Sequence, residues 1–370
     1  MLPNEENELL YQIALTFIPG VGPKTVRALL SKYESASEIF KAPIKELKNA
    51  AGVGEVRAKL FRDKEILSAA EKELEYALKH ETRLLFFNSE DYPKRLHNCD
   101  DPPVLLYYKG NANLNTGKII AVIGTRKNTD YGQRVCESLV EGLRGLDDLL
   151  IVSGLALGID TIAHKASLRN IIPTVGVMGH SLDRIYPYSN KALGNEMLQL
   201  GGLLSEFPFG TKPDRQNFPV RNRVVAGMSD ITVVVESDIK GGAMITAYLA
   251  HGYNREVAAF PGRVFDSKSE GPNHLIKKNI AACISGADDL LELMNWGRNE
   301  QKKSVQKQLF LDLVPDEKMI IDLMQTKDAL HSDELLIQTG FTSPQLAAVL
   351  LQLEMQGLIK ALPGKNYRLN

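Results

Sequence analysis

Cysteine, tryptophan and net charge are all scarce in this sequence. The three cysteines, Cys99, Cys136 and Cys283, are isolated from one another among 370 residues, so the sequence predicts neither a disulfide framework nor a zinc cluster. The formal net charge is only −1, which restricts any site for a polyanion to a local patch of the surface. Hydrophobic and charged contents of 44% and 24% are those of an ordinary globular protein, and 370 residues are enough for two or three domains.

Long apolar runs are missing as well. None approaches the length of about 20 residues that a membrane-spanning helix requires. The first residues, MLPNEENELL, are acidic and lack the hydrophobic region of a signal peptide. We therefore expect a protein of the reduced cytoplasm that does not enter a membrane.

Signatures of catalysis are equally absent. The sequence contains no Gly-x-Ser-x-Gly elbow, no Walker A motif, no zinc-ligand spacing and no paired-carboxylate site. Asp160 and His164 are four residues apart in one predicted helix, which leaves open either a general-base pair or a capping carboxylate beside a packed histidine. We predict no catalytic residue, no metal and no cofactor.

What the sequence does contain is a series of short apolar runs without polar alternation. Such runs, rich in β-branched residues, are typical of parallel strands that are covered on both faces. The runs are IIAVIG (119–124), LLIVSG (149–154), TVGVMG (174–179), GLLSE (202–206), ITVVVES (231–237) and EVAAFPG (256–262). Predicted helices alternate with them, so we predict a doubly wound α/β sheet. LLFF and VLLYY, on either side of a rigid Asp-Pro-Pro turn, are predicted to extend its edge.

Two strand exits are candidates for anion binding, because ligands of open α/β sheets bind where strands end and helices begin. They are Gly-Thr-Arg-Lys at 124–127 and Ser-Gly-Leu-Ala-Leu-Gly at 153–158. Arg126 occupies the place where a dinucleotide fingerprint needs its second glycine, and no acidic residue ends the second strand, which argues against NAD. Arg126 and Lys127 instead offer cations suited to phosphate, with a salt bridge from Arg126 to an acid as the structural alternative.

A basic and aromatic segment follows the fourth of these runs. Residues 211–223 carry four cations against a single acid, and Phe207, Phe209 and Phe218 lie in or beside them; the cations are Lys212, Arg215, Arg221 and Arg223. Cations along a backbone with aromatic rings between them are typical of single-strand nucleic-acid binding, although a solvated charged face has the same composition. Gly241 and Gly242 open a later helix and are predicted to hold phosphate through backbone amides.

The N-terminal segment is predicted to be helical, with two glycine turns. Ile-Pro-Gly-Val-Gly at 18–22 and Ala-Gly-Val-Gly at 51–54 each precede a predicted helix. This pattern resembles a tandem helix-hairpin-helix unit, in which glycines let backbone amides reach a DNA phosphate. Lys24 and Arg27 favour DNA contact at the first turn, whereas Glu55 follows the second, so a helix-packing module without DNA contacts remains open.

The C-terminal region is predicted to be a separate small domain. Residues 298–307, RNEQKKSVQK, are polar and aperiodic and are predicted to belong to a linker. Three predicted helices and a hairpin with a turn at 363–364 follow, and Thr342 and Pro344 begin the third helix, which ends at Gly357. The pattern resembles a winged helix. Because the third helix has no cation, a partner-binding or regulatory role is favoured over duplex reading.

Taken together, the motifs resemble the DNA-processing protein A family, also called DprA or Smf. The stretches that carry the resemblance are DYPKRLHNCDDPPVLLYYKG, IIAVIGTRKNTDYG, IVSGLALGIDTIAH, LDRIYPYSN, LLSEFPFG, FPVRNRVVAGMSD, VVVES with GGAMITA, and FPG with GPNHLIKKN. The resemblance implies an extended Rossmann-like sheet flanked by a helix-hairpin-helix domain and a winged helix. It also implies a cytoplasmic bacterial protein that binds single-stranded DNA, forms homodimers and loads the RecA recombinase during natural transformation, without catalysis or a cofactor.

The predicted domains are residues 1–83 (helix-hairpin-helix), 84–296 (Rossmann-like), 297–312 (linker) and 313–370 (winged helix). The predicted DNA-binding residues combine those that match family motifs with those chosen for charge, aromatic character or backbone amides; they are Arg126, Lys127, Gly154, Lys212, Arg215, Phe218, Arg221, Asn222, Arg223, Gly241 and Gly242. The segment around Leu275 and Ile276 is the candidate dimer contact.

The sequence departs from the family pattern at one phosphate exit. Gly-Gly-Ala at 241–243 stands where the family usually has two hydroxyl residues, so backbone contacts are expected there in place of side-chain contacts. An enzyme of the same Rossmann-like group, a nucleoside-monophosphate phosphoribohydrolase, is the alternative function. Its catalytic glutamate would fall at Tyr248 or Leu249, neither of which can act as a carboxylate base. A duplex-DNA protein that uses only its end domains is a further alternative.

Overall fold

The computed structural model describes residues 3–297, 314–324, 330–356, 358–362 and 365–369. The chain forms two compact units, Met1–Asn299 and Glu300–Asn370. None of the described helices is both long enough and apolar enough to span a bilayer.

Six helices form the N-terminal part of the first unit. They are α1 (Pro3–Phe17), α2 (Pro23–Leu30), α3 (Ala36–Lys41), α4 (Ile44–Leu47), α5 (Gly54–Leu60) and α6 (Lys64–Lys79). The predicted glycine turns lie directly before α2 and α5. Gly20 and Gly52 have φ values of +78° and +80°, a backbone conformation that side chains with a Cβ rarely adopt, so these two positions require glycine.

A nine-stranded sheet follows. Its strands are β1 (Arg83–Phe86), β2 (Leu105–Gly110), β3 (Lys118–Ile123), β4 (Leu149–Ser153), β5 (Thr174–Met178), β6 (Gly202–Ser205), β7 (Ile231–Val234), β8 (Glu256–Ala259) and β9 (Ala282–Cys283). Their order is β1-β2-β6-β5-β4-β3-β7-β8-β9. The strands from β6 to β9 in this order run parallel, whereas β2 pairs antiparallel with both β6 and β1. The predicted doubly wound sheet and its edge extension are both confirmed.

Helices cover both faces of the sheet. They are α7 (Asp130–Gly142), α8 (Ile159–Arg169), α9 (Lys191–Leu200), α10 (Asn217–Gly227), α11 (Gly242–Gly252), α12 (Glu270–Lys277) and α13 (Ala287–Leu293). Alternate residues of β3 enter different cores: Ile119, Ala121 and Ile123 pack on one side, and Ile120 and Val122 on the other. Burial on both faces explains why the strands are apolar throughout.

The N-terminal helices and the sheet edge share a core. Phe86, Leu105 and Tyr107 of the edge strands pack in one cluster with residues of the helical segment, such as Phe61. A chain cut at the predicted boundary between residues 83 and 84 would therefore expose the apolar surface of β1 and β2. The division at 83/84 stays a prediction, and a fragment that begins there is a poor test of function.

The second unit contains α14 (Pro315–Met324), β10 (Leu330–His331), α15 (Ser332–Thr339), α16 (Ser343–Met355), β11 (Ile359–Leu362) and β12 (Asn366–Leu369). Its three strands are antiparallel in the order β10-β12-β11. Thr342 and Gln345 form a capping box at the start of α16, which agrees with the predicted helix start. The predicted linker from residue 298 on, Gly357 and the predicted turn at 363–364 lie outside the described residues.

Candidate functional site

A groove of about 840 Å³ opens at the carboxyl edge of the sheet. The chain runs from β3 through β4 and β5 to β6 and then crosses back to β7 on the other side of β3. Such a reversal of strand order leaves a crevice between the two neighbouring strand ends. The loops that follow β3, β4 and β7 line this groove together with the first turns of α10 and α11.

The Gly-Thr-Arg-Lys exit forms one wall of the groove. Arg126 and Lys127 both line it, and their side chains are exposed. Glu236 fixes the position of this loop. Its carbonyl accepts from the backbone amide of Thr125 at 2.7 Å, and its carboxylate accepts from the amide of Thr129 at 2.9 Å. Among the described residues no ion pair joins Arg126 to an acid, so the salt-bridge alternative has no support.

Arg221 is a buried cation beneath the Ser-Gly-Leu-Ala-Leu-Gly loop (153–158) that follows β4. Its side chain is only 5% exposed, and its guanidinium donates to the carbonyls of Gly154, at 2.6 Å, and Val177. Burial and the neighbouring Arg126 lower the pKa of Arg221 to about 10, while Asp160 opposes this shift. A Cβ at residue 154 would collide with the guanidinium, so the close approach of Arg221 requires the glycine. Arg221 therefore contributes a fixed positive charge at the base of the groove, and direct contact of its side chain with DNA stays a prediction.

Another wall of the groove is formed by the residues just before α10 and by the first turns of α10 and α11. Arg215, Phe218 and Asn222 line the groove, and the guanidinium of Arg126 lies 5.3 Å from the centre of the Phe218 ring. The helix α11 begins at Gly242, whose amide is among the first N–H groups of a helix that lack a carbonyl partner within it. Gly241 also lines the groove, but its amide donates to the Asp238 carbonyl at 2.8 Å.

Two of the predicted cations, Arg223 and Lys212, and two of the three aromatic residues, Phe207 and Phe209, do not line the groove. Arg223 is paired with Glu206 and donates to the Asp101 carbonyl, and its side chain is 15% exposed. It therefore connects α10 to the sheet, and it does not line the groove. Lys212 is exposed but is not among the groove residues either. Phe209 packs on the N-terminal helices, with its ring 4.2 Å from that of Tyr76.

Two of the groove residues that were not predicted come from segments outside the predicted exits and the basic segment. Lys268, from the segment after β8, lines the groove and pairs with Asp238 at 2.8 Å. Tyr186, from the segment between β5 and α9, lines it as well. Nothing in the local sequence places the segment after β8 beside the end of β7. Tyr186 belongs to the LDRIYPYSN motif, and this motif could have been used to predict that Tyr186 lies at the site.

The Asp160 and His164 pair has a structural role. The Asp160 carboxylate accepts hydrogen bonds from the amides of Gly154 and Ala156 at 3.2 and 3.3 Å, which orders the second exit. His164 is fully buried, and its Nδ1 lies 2.7 Å from the Thr174 hydroxyl. This geometry supports the capping carboxylate and packed histidine over a general-base pair. Among the described residues there is also no cluster of three metal-ligating side chains.

The buried histidine predicts a pH dependence of stability. Burial, with a smaller contribution from Arg221, lowers the pKa of His164 to about 3 from the ordinary 6.5. Since the unfolded chain binds the proton more readily, the contribution of His164 to stability is present above pH 6.5 and is lost as the pH falls towards 3. We expect the free energy of unfolding of the wild type to fall more steeply than that of His164→Asn, by up to about 1.4 kcal/mol per pH unit. Urea unfolding from pH 7.5 to 4.5 measures both slopes, and parallel curves would contradict the assignment.

Known families match the chain over most of its length. The family model of DNA recombination-mediator protein A matches residues 83–295. The model of the DprA winged helix domain matches residues 310–365, and that of the SAM-like tandem helix-hairpin-helix matches residues 13–60. The interpretations of the sheet and of the two end domains are thereby confirmed.

Individual relatives give the same result. Protein Smf from Synechocystis is 31% identical, over 98% of this chain and 99% of its own length. The DNA processing protein DprA of Streptococcus pneumoniae is 41% identical over 54% of this chain and 71% of its own. A solved structure of DprA from Streptococcus pneumoniae covers 76% of this chain and 97% of its own, with a TM-score of 0.65 and 30% identity. One of DprA from Helicobacter pylori, described for its single-stranded DNA binding mode, covers 58% and 96%, with a TM-score of 0.53 and 33% identity.

Proposed function

The chain belongs to the DNA recombination-mediator protein A family, and on that premise we propose that it binds single-stranded DNA in the groove at the carboxyl edge of its sheet. The single observation that carries this proposal is the convergence of Arg126, Lys127 and Arg215 on one groove, above the buried charge of Arg221. The related Helicobacter pylori protein, whose structure is described for its single-stranded DNA binding mode, supports the same ligand.

The groove offers the two kinds of contact that an unpaired strand needs. Exposed guanidinium and ammonium groups neutralise phosphates, and the first amides of α11 can donate to a phosphate oxygen. The Phe218 ring, next to Arg126, presents an aromatic surface to a base. Phosphate contacts and stacking read no sequence, so binding is expected to be similar for different base compositions.

The cellular role in the proposal is that of the family. The chain would protect incoming DNA during natural transformation in the cytoplasm, as a homodimer without catalytic activity, and load the RecA recombinase onto the bound strand. Family membership supports these steps. Of the candidate dimer contact, Leu275 is fully buried in the core and Ile276 is half-buried, so only Ile276 of the two is within reach of a partner chain.

The alternative enzyme has no support from the groove. Tyr248, at the position of the required glutamate, is an exposed side chain on α11. The carboxylates that line the groove, within the described part of the chain, are Asp160 and Asp238, and both are engaged with other groups. Release of adenine from AMP at a catalytic rate would overturn this conclusion.

A titration of the full chain tests the proposal. We expect a fluorescently labelled oligo-dT to bind more tightly than a duplex of equal length, because paired bases cannot stack on Phe218. The affinity should fall linearly with salt concentration on logarithmic axes, since phosphate contacts release counterions. Fluorescence anisotropy at several salt concentrations measures both. Tighter binding of the duplex, or binding that does not depend on salt, would contradict the proposal.

A further inference from the structure

Two exposed tyrosines lie in a segment that contributes to the groove through Tyr186. Tyr186 and Tyr188 belong to the segment between β5 and α9, and 48% and 78% of their surfaces are exposed. Tyrosine has a large apolar ring that contributes strongly to binding when a partner covers it, and it is enriched at interfaces. Tyr186 lines the groove, and the Cα of Tyr188 lies within about 7.6 Å of that of Tyr186, because they are two residues apart.

The tyrosines continue an arrangement of rings and cations that starts inside the groove. The ring of Tyr186 lies 6.1 Å from that of Phe218, and their planes differ by 30°. Phe218 carries the guanidinium of Arg126 at 5.3 Å, and Tyr188 carries the ammonium of Lys191 at 5.6 Å. Phe218, Tyr186 and Tyr188 thus offer three rings, with one cation beside Phe218 and another beside Tyr188.

The segment that carries these rings is held in place. The ring of His180 lies edge-on to Tyr186, with ring centres 6.4 Å apart. The side-chain amide of Asn190 donates to the Leu155 carbonyl at 2.9 Å and to the Thr161 hydroxyl at 2.8 Å. A ring that is already positioned loses little conformational entropy when a ligand stacks on it. Such support suits a binding surface.

From these observations we propose that Tyr186 and Tyr188 form a base-stacking subsite that extends the groove beyond Phe218. A strand held by its phosphates at Arg126 continues over this segment, with successive bases against the rings and its phosphates near Lys191. This inference rests on the proposed function and adds a second region of contact to it, one that recognises bases and not phosphates.

Substitutions with two kinds of oligonucleotide test the subsite in the full chain. We expect Tyr186→Ala and Tyr188→Ala each to weaken the binding of oligo-dT about tenfold, and an oligonucleotide of equal length that lacks bases to bind both variants as it binds the wild type. Tyr186→Phe should retain the affinity for oligo-dT, because it keeps the ring. Tyr248→Ala is the matched control, since Tyr248 is 44% exposed but does not line the groove.

Three results would overturn the subsite. Unchanged oligo-dT affinity in the double alanine variant is the first, and equal losses for oligo-dT and the abasic oligonucleotide are the second. The third is the position of crosslinks in the wild type. An oligo-dT that carries 5-iododeoxyuridine is crosslinked to the protein by ultraviolet light, and the crosslinked tryptic peptides are sequenced. We expect crosslinks on peptides 185–191 and 216–221; crosslinks confined to 216–221 would remove the subsite and leave the proposed function intact. If the wild type bound neither oligonucleotide, the proposed function itself would fail.

Discussion

Replacement of Arg126 by alanine is expected to weaken oligo-dT binding about tenfold to a hundredfold, the range for removal of a hydrogen bond to a charged group. The side chain is exposed at the groove and its described side-chain contact is the Phe218 ring, so the effect falls on the ligand and not on the fold. The slope of log affinity against log salt should decrease by about 0.7 for each phosphate that the variant no longer neutralises. Anisotropy titrations at several salt concentrations measure both quantities.

A matched control separates this effect from a general loss of positive charge. Arg144 is exposed and follows the C-terminal end of α7, whereas Arg126 precedes the N-terminal end of the same helix. Arg144→Ala removes the same charge far from the groove and should leave the affinity within about twofold of the wild type, as expected for screened charges separated by more than a Debye length. Equal losses of oligo-dT affinity in the two variants would mean that Arg126 acts only through its contribution to the overall charge and makes no specific contact.

The second large effect is on stability. Arg221→Ala should lower the free energy of unfolding of the first unit by about 2–6 kcal/mol, because a buried acceptor that loses its donor costs about 1–3 kcal/mol and the guanidinium serves two of them. The substitution removes the guanidinium that donates to the Gly154 and Val177 carbonyls, and it removes a positive charge that acts electrostatically on the buried Asp160. Arg221→Lys, which keeps the charge but loses the planar fork, should fall between the wild type and the alanine variant.

Fluorescence of Trp296 during urea unfolding measures this loss. Trp296 is the single tryptophan of the chain, and it packs against the core of the first unit. Arg215→Ala is the control, because Arg215 is an exposed cation in the same basic segment and its removal should change stability by no more than about 0.5 kcal/mol. A loss below about 1 kcal/mol in Arg221→Ala would mean that the buried arginine is not the anchor that its contacts indicate.

The sheet and the place of the Gly-Thr-Arg-Lys loop after β3 were predictable because they depend on local patterns. The apolar runs without alternation record burial on both faces, and β3 sends alternate side chains into two cores. The position of Arg126 follows directly from the strand that precedes it. Both features rest on residues that are close together in sequence.

The depth of the charges in the basic segment was not predictable, because composition records how many cations there are and not where they point. Arg221 and Arg223 lie two residues apart on α10, yet the first is buried beneath the groove and the second is paired with Glu206 outside it. Lys268 and Tyr186 enter the groove from segments distant in sequence. Phe209 is directed to the N-terminal helices by a core whose other members lie mostly more than a hundred residues earlier in the sequence.

A crystal structure of the full chain with a short oligo-dT tests the central claim most directly. The account predicts a phosphate oxygen within about 3 Å of the Arg126 guanidinium and an adjacent base against the Phe218 ring. A strand held by the winged helix, or by the glycine turn before α2, with the groove at the sheet edge empty, would contradict it.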